Sequence, residues 1–97
     1  MASGYVICQV ELFDEEKFAE YKAKVPDIVV SYGGETLARG GRYQRLEGRE
    51  PKPRLILMKF PTYERALEWY RSAAYSALKP IRQSAATADL VLVEGLD

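Results

Sequence analysis

Apolar and polar residues alternate along the first patterned segment of the chain, which runs from Tyr5 to Leu12. One set of alternate positions is entirely apolar and consists of Val6, Cys8, Val10 and Leu12. The other set consists of Tyr5, Ile7, Gln9 and Glu11. Because successive side chains of a strand point to opposite faces, this period of two predicts a β-strand with one buried face.

Helical spacing replaces the alternation after Asp14, which is a good N-cap residue and is followed by two glutamates. The apolar positions fall on one side of a helix and comprise Phe18, Tyr21, Val25, Ile28, Val29 and Tyr32. They predict a helix that packs on a core through this side. We expect Pro26 to kink or split the helix and Gly33–Gly34 to end it.

The middle of the chain predicts two strands joined by a polar connection. We expect a short strand over 35–39, a bulge or bend at Gly40–Gly41, and a continuation of the strand over 43–47. The proline-rich segment 48–53 is typical of a hairpin loop. The run 55–60 is apolar apart from Lys59, as expected for a central strand that is covered on both faces.

The last third predicts a broken helical region and a final strand. Thr62 is a good N-cap for a second helix, and the helical pattern resumes after Ser72 with Pro80 in the first turn of a further short segment. The run 89–94 is typical of a strand, because its four central residues are aliphatic. The order β-α-β-β-α-β predicts one α+β domain over residues 1–97, a ferredoxin-like fold with helices on one face of a four-stranded antiparallel sheet.

The sheet face turned away from the helices is predicted to be unusually apolar. It would carry Ile7, Gln9 and Glu11, and the same parity assigns Leu90, Leu92 and Glu94 to it. A domain this small would then expose a larger apolar patch than soluble monomers usually tolerate. We therefore expect a homodimer in which two such faces cover each other, as in a dimeric α/β barrel.

Charge and composition exclude several classes of function. Lysine plus arginine and aspartate plus glutamate both total 14, so the basic excess expected of a nucleic-acid partner is missing. No apolar run is long enough for a membrane span, and the single cysteine forms no internal disulfide, so we expect a cytoplasmic protein. The chain contains no histidine, which excludes catalytic triads that need one, and we expect neither metal nor nucleotide cofactor.

Two groups of residues are candidates for ligand binding. Arg39-Gly40-Gly41-Arg42 combines exposed backbone N–H groups with guanidiniums that could hold a carboxylate or phosphate, the alternative being a β-bulge with solvated arginines. Tyr70, Ser72 and Tyr75, near Trp69, could line one end of a pocket. Their alternative is helix-to-sheet packing of Tyr70 and Tyr75, with Trp69 at a rim or interface.

A third candidate is a polar cluster on the barrel side of the sheet, made of Gln9, Glu11, Lys59 and Glu94. Ionisable groups in a largely apolar cavity can have shifted pKa values that suit proton transfer. The alternative is a set of interface ion pairs or solvated strand ends. Cys8 lies on the apolar face of the first strand and is expected to be an inert core residue.

Seven segments spread over nearly the whole chain carry a family resemblance: Gly4-Tyr5-Val6-Ile7, Tyr32-Gly33-Gly34, Arg39-Gly40-Gly41, Leu46-Glu47-Gly48, Lys59-Phe60-Pro61-Thr62, Trp69 to Tyr75 and Asp89 to Gly95. In order and spacing they resemble the bacterial family known as domain of unknown function 1330, which usually has an acidic residue at the position of Lys59. The resemblance implies a ferredoxin-like domain of the dimeric α/β-barrel superfamily and no established activity. Related barrels include cofactor-free monooxygenases and isomerases, which offer only an analogy for function.

Two functions are compatible with these observations. The first is a homodimer with a cavity in each subunit that binds or transforms a small organic acid or phenol without metal or nucleotide. The second is a non-catalytic dimerisation or accessory domain in which the charges stabilise the interface.

Overall fold

The computed structural model describes residues 2–97, and four strands and four helices follow one another within this range. They are β1 (Gly4–Leu12), α1 (Glu15–Ser31), β2 (Glu35–Arg39), β3 (Arg54–Phe60), α2 (Tyr63–Arg71), α3 (Ala73–Ser76), α4 (Lys79–Ala85) and β4 (Ala86–Glu94). The strands form one antiparallel sheet in the order β2-β3-β1-β4. The predicted α+β ferredoxin-like arrangement is confirmed, with the first and third strands side by side at the centre.

Side-chain caps begin the two main helices as their sequences predict. Asp14 accepts a hydrogen bond from the backbone N–H of Lys17 at 3.1 Å, and Thr62 accepts one from Arg65 at 3.0 Å. Pro26 lies inside α1 and does not split it. The helix ends before Gly33, whose φ of +77° is a conformation that favours glycine.

The broken C-terminal helical region is confirmed and consists of α2, α3 and α4. Ser72 separates the first two, since its hydroxyl donates to the carbonyl of Trp69 at 2.8 Å and accepts from the N–H of Tyr75 at 3.1 Å. Pro80 stands in the first turn of α4. These breaks let three short helices bring Trp69, Tyr75 and Arg82 into the same interior.

One face of the sheet packs on the helices and forms the core. Val6, Cys8 and Val10 of β1 are buried there with Met58 and Phe60 of β3. From the helices, the buried residues of this core are Phe18, Val29, Ala66, Trp69, Tyr75 and Ala85. Cys8 is thus a core residue, as its position on the apolar face of β1 predicts.

The predicted assignment of Leu90, Leu92 and Glu94 to the other face is wrong. In the observed register Leu90 pairs with Cys8 and Leu92 with Val6. Paired residues of neighbouring strands share a face, so both leucines pack against the core, and Glu94, paired with Gly4, follows the same parity. The register of β4 depends on its tertiary pairing, which the alternation of β1 alone does not determine.

The strand predicted over 43–47 is also wrong. After β2 ends at Arg39, the chain from 41 to 53 forms no regular strand, and most of it is exposed. The bulge lies between Thr36 and Ala38, and Gly40, with a φ of +60°, forms the bend that was the alternative at this point. This stretch is rich in charged and turn-forming residues, and it has no strand beside it to supply hydrogen bonds.

The face away from the helices, called the open face below, has an apolar middle and polar ends. Ile7, Val91 and Val93 are exposed by 41%, 58% and 47%. At one end Tyr5 and Lys59 both contact the carboxylate of Asp97, at 2.9 and 3.3 Å. None of the helices in residues 2–97 has both the length and the apolar character that crossing a membrane requires.

Candidate functional site

A cavity with a free volume of about 80 Å³ lies between α1 and the core face of the sheet. By the same measure a water molecule needs roughly 10–15 Å³, so several waters or one small organic molecule would fit. Its apolar lining is Cys8, Val10, Phe18, Val25, Pro26, Val29, Ile56, Met58 and Leu90. Its polar and aromatic lining is Tyr21, Lys22, Thr36, Arg39, Arg54, Trp69, Tyr75 and Arg82.

A chain of hydrogen bonds joins three of these residues. A guanidinium N–H of Arg82 donates to the hydroxyl of Tyr75 at 2.9 Å. The hydroxyls of Tyr75 and Tyr21 are 2.6 Å apart and share a second hydrogen bond. Tyr75 is completely buried and Arg82 is buried beside it, so the network lies in a region of low dielectric, where such bonds are strong.

Burial determines the protonation states of Tyr75, Tyr21 and Cys8. It raises the pKa of Tyr75 far above its ordinary value of 10, and the neighbouring Tyr21 raises it further. Burial likewise raises the pKa of Tyr21, and it raises that of the Cys8 thiol from 9.0 to about 11. At neutral pH both phenols and the thiol are protonated, so these groups serve as hydrogen-bond donors and not as bases.

Four cations line the cavity, and none of them has a carboxylate partner within residues 2–97. They are Lys22, Arg39, Arg54 and Arg82. The lining includes no aspartate or glutamate in the described chain. The ion pairs of that chain use other cations, namely Lys17, Lys24, Arg45, Lys52, Lys59 and Arg65. Arg82 is buried and Arg54 is half-buried, whereas Lys22 and Arg39 are exposed, so the cavity attracts an anion mainly through Arg54 and Arg82.

Two buried N–H donors of the lining have no acceptor in residues 2–97. They are Nε of Arg54 and Nε1 of Trp69. Trp69 is only 1% exposed, and its indole packs on Phe60 and Tyr75 with ring centroids 5.2 and 4.4 Å away. Buried donors are almost always paired in folded proteins, so both are exceptions that need an explanation.

The bulge in β2 brings Arg39 to this cavity. Glu35 pairs with Lys59 on the open face, and an uninterrupted register would leave Arg39 on that face too. One extra residue between Thr36 and Ala38 instead pairs Arg39 with Ile56 on the core face. A shift of one residue moves a side chain to the opposite side of a sheet.

The structure separates the predicted Arg39-Gly40-Gly41-Arg42 site. Arg39 lines the cavity, and Gly40 turns the chain with a φ of +60° while its N–H donates to the carbonyl of Leu55 at 2.8 Å. Gly41 and Arg42 are exposed and lie outside the lining. Of the four residues, only Arg39 belongs to the cavity lining.

The aromatic candidates are separated as well. Tyr75 lines the cavity, whereas Tyr70 lies in a different apolar groove, where the ammonium of Lys79 sits 3.7 Å from its ring centroid. Ser72 caps α3 and has no place in the lining. Trp69 is in the core and not at a rim, which corrects the alternative considered for it.

The predicted polar cluster is not brought together. Gln9, Glu11 and Lys59 lie on the open face, while Glu94 has the opposite parity. Gln9 accepts from the N–H of Lys52 at 3.3 Å, and Lys59 pairs with Asp97. The cavity itself is on the core side of the sheet, so none of these four residues belongs to it.

Several lining residues escape prediction from the sequence. Tyr21 fits a helix stripe that also describes an ordinary core. Arg54 precedes an apolar run and resembles a loop residue. Arg82 gives the one usable signal, since it stands among apolar positions of α4 seven residues after Tyr75.

A metal site is not apparent in the described chain. Residues 2–97 contain no group of three or more His, Cys, Asp or Glu side chains that could hold a metal ion. The donors available in the cavity are N–H and O–H groups, which recognise anions and other acceptors.

The order and pairing of these elements define a ferredoxin-like α+β domain. The chain belongs to the family described as Domain of unknown function (DUF1330), whose model matches residues 3–96. No curated protein matches the chain in sequence.

Solved structures support the fold. A protein of unknown function from Rhodopseudomonas palustris matches with a TM-score of 0.76 and 17% identity, over 99% of this chain and 84% of that one. SnoaB, a cofactor-independent oxygenase from Streptomyces nogalater, matches with a TM-score of 0.63 and 7% identity, over 96% of this chain and 92% of that one. A candidate antibiotic biosynthesis monooxygenase from Nitrosomonas europaea matches with a TM-score of 0.60 and 14% identity, over 98% of this chain and 99% of that one. At these identities the likeness is one of fold.

Proposed function

We propose that this protein binds a small organic anion, an acid or a phenol with an apolar body, in the cavity between α1 and the sheet. The observation that carries the proposal is the set of four lining cations without a carboxylate partner in residues 2–97. Burying an uncompensated charge is costly, and an anionic ligand would offset that cost at Arg54 and Arg82.

The lining fits both halves of such a ligand. Aliphatic and aromatic side chains around the cavity suit a ring or a branched chain. One of the hydroxyls of Tyr21 and Tyr75 donates to the other, and the remaining O–H suits a phenol or carboxylate oxygen, since Arg82 donates to Tyr75 and strengthens the pair as a donor.

The groups described also bear on what reaction the cavity could support. Its phenols and thiol hold their protons at neutral pH, so they would stabilise negative charge on a ligand and would not abstract a proton. The cofactor-independent oxygenase SnoaB has the same fold, which makes chemistry without metal or nucleotide reasonable for this scaffold. Binding is the function proposed, and turnover would require a ligand that reacts once its anion is stabilised.

Matched carboxylate and amide ligands test the proposal. Benzoate should raise the melting temperature and bind in calorimetry, whereas benzamide, of nearly the same shape without the charge, should bind much more weakly. Arg39→Ala should weaken benzoate by about fivefold, since it removes one partly exposed charged contact.

Arg42→Ala is the matched control, because Arg42 is exposed and lies outside the cavity. It should leave benzoate affinity unchanged. Equal affinity for the acid and the amide, or no binding of any small carboxylate or phenol in a screen, would overturn the proposed function.

A second candidate function, dimerisation, is favoured by the open face. We propose that two copies pair through the middle of this face, where Ile7, Val91 and Val93 are exposed together. Its two ends carry charges of both signs, with Lys59 beside Asp97 and Lys52 beside Asp89. A second copy meets such a surface with equal numbers of each sign, so like charges need not oppose each other. The cavity lies on the other side of the sheet, so pairing and ligand binding are compatible.

A further inference from the structure

The arginines of the cavity fall into two groups, which lie on different elements and differ in burial. Arg82 belongs to α4 and is only 7% exposed. Arg39 and Arg54 belong to β2 and β3, and Arg39 is exposed while Arg54 is half-buried. A ligand with one carboxylate would neutralise one group only. The other group would stay without a counter-charge, which is costly where the cation is buried.

Arg82 forms the inner end of the cavity and lies near strand β1. An N–H of its guanidinium donates to the hydroxyl of Tyr75 at 2.9 Å, and Tyr75 is completely buried. Burial raises the pKa of Cys8 on β1, and the guanidinium of Arg82 is near enough to offset part of that rise. Arg82 therefore brings a buried positive charge and further N–H donors to the inner end.

Arg39 and Arg54 form the outer end, on the far side of β3 from β1. A Cβ at Gly40 would come within 3.6 Å of Cζ of Arg54, so this guanidinium lies beside Gly40. Gly40 directly follows Arg39, and the two arginines are therefore neighbours. Paired N–H groups of a guanidinium fit a carboxylate well, so the outer end suits one carboxylate of a ligand.

The register of the sheet gives the distance between the two ends. Arg39 pairs with Ile56 of β3, and Ile56 pairs with Cys8 of β1. Two strand spacings therefore separate Arg39 from Cys8, or about 10 Å across the sheet. With cations at these positions, charge-assisted hydrogen bonds of about 2.8 Å at both ends leave about 4 Å between the oxygens of a ligand. Ile56 lines the cavity between the ends and gives it an apolar floor.

We propose that the ligand is a short dicarboxylic acid that lies across the sheet, with one carboxylate held by Arg39 and Arg54 and the other by Arg82. This inference rests on the proposed function and deepens it, because it names a second anionic group and the residue that recognises it. It selects diacids over monoacids of the same length, with Arg82 as the residue that determines the preference.

Succinate and succinamate test the proposal, since the amide has nearly the same shape and one negative charge fewer. In calorimetry, wild-type protein should bind succinate about tenfold more tightly than succinamate, the value of one hydrogen-bonded charge pair away from water. Sulfate carries two charges in a compact group that reaches one end only, so it should bind about tenfold more weakly than succinate. Sulfate that binds as tightly as succinate would exclude a ligand that spans both ends.

Ionic strength separates a contact with Arg82 from a general attraction of anions to the positive cavity, and this measurement needs no variant. Salt screens the exposed outer end and should lower the affinities for succinate and succinamate alike. The buried inner end is screened much less, so the ratio of the two affinities should stay within about twofold from low to high salt. A ratio that falls to one in high salt would overturn the role of Arg82.

Arg82→Gln removes the inner charge and keeps an N–H donor. It should abolish the preference for succinate and leave the affinity for succinamate within about twofold of wild type. Arg71→Gln is the matched control, because Arg71 is an exposed arginine outside the lining. Should Arg82→Gln fail to fold, as judged by circular dichroism, the salt series on wild-type protein still decides.

The outcomes separate this inference from the function on which it rests. If no small acid binds, both are wrong. If wild-type protein binds succinate and succinamate equally, the cavity takes monoacids, and the diacid is excluded while the proposed function stands. If a folded Arg82→Gln keeps the full preference for succinate, the second carboxylate does not contact Arg82 and the inference is wrong.

Discussion

The thiol of Cys8 lies on the core side of β1, next to the cavity and among aliphatic neighbours. Water is the best solvent for a thiolate, so burial favours the neutral thiol and raises the pKa of Cys8 to about 11 from 9.0. The nearby guanidinium of Arg82 lowers it only in part. The residue is thus inert at neutral pH, and it links the stability of the fold to alkaline pH.

The sign of this linkage follows from which state binds the proton more tightly. Because the folded pKa of Cys8 is the higher one, its contribution to stability is present in full below pH 9 and is lost as the pH rises toward 11. A shift of this size corresponds to roughly 2–3 kcal/mol. We expect the difference in unfolding free energy between wild type and Cys8→Ala to fall by about that amount between pH 8 and pH 11, in urea titrations. A constant difference over this range would contradict the prediction.

Residues with only one structural role were the easiest to predict. The caps Asp14 and Thr62 depend on local geometry, and both stand where the sequence places them. Arg82 and Tyr75 were harder to predict, because the helical pattern gives the face on which a side chain lies but not the residue that it contacts. Their hydrogen bond joins α3 to α4, and it depends on the breaks at Ser72 and Pro80.

At the scale of elements, strand β2 shows how one extra residue determines the site. Its bulge lies at the edge of the sheet, where strands tolerate irregularity, and it turns Arg39 from the open face to the cavity. The order of strands and helices follows from the hydrophobic pattern. The register does not, because the bulge and the pairing of β4 are set by tertiary contacts that a single sequence leaves open.

Deletion of Leu37, which lies at the bulge, should restore an uninterrupted register and move Arg39 to the open face. We expect benzoate affinity to fall by about as much as in Arg39→Ala, roughly fivefold, while the domain still folds, since β2 is a short edge strand. Calorimetry gives the affinity and circular dichroism the fold.

Deletion of Leu46, an exposed leucine of the loop, is the control and should leave affinity unchanged. Wild-type affinity in the Leu37 deletion would show that Arg39 reaches the cavity by some route other than the bulge.

At the scale of the whole molecule, the two faces of the sheet have different tasks. The core face supports the helices and the cavity, and the open face is left with an apolar middle. Soluble domains seldom leave such a patch uncovered. Sequence reasoning located the patch correctly at Ile7 but assigned the wrong residues of β4 to it, so Val91 and Val93 take the place of Leu90 and Leu92.

The proposed pairing predicts a change in mass for a single substitution. Val91→Lys places a charge in the middle of the open face and should convert a dimer into a monomer, as measured by light scattering coupled to gel filtration. Val30→Lys is the matched control, because Val30 is an exposed valine on α1, away from that face. A wild-type protein that is already monomeric at micromolar concentration would exclude the pairing.

The four like charges around the cavity have a consequence for how long the protein would persist in a cell. One of them, Arg82, is buried without a carboxylate partner in residues 2–97, so the unliganded domain gives up some of its free energy of folding, and an anionic ligand would return it. Quality-control proteases act on the fraction of molecules that opens transiently, and that fraction changes steeply with one or two kcal/mol. Under the proposed function, the abundance of this protein would therefore rise and fall with the supply of the acid that it binds.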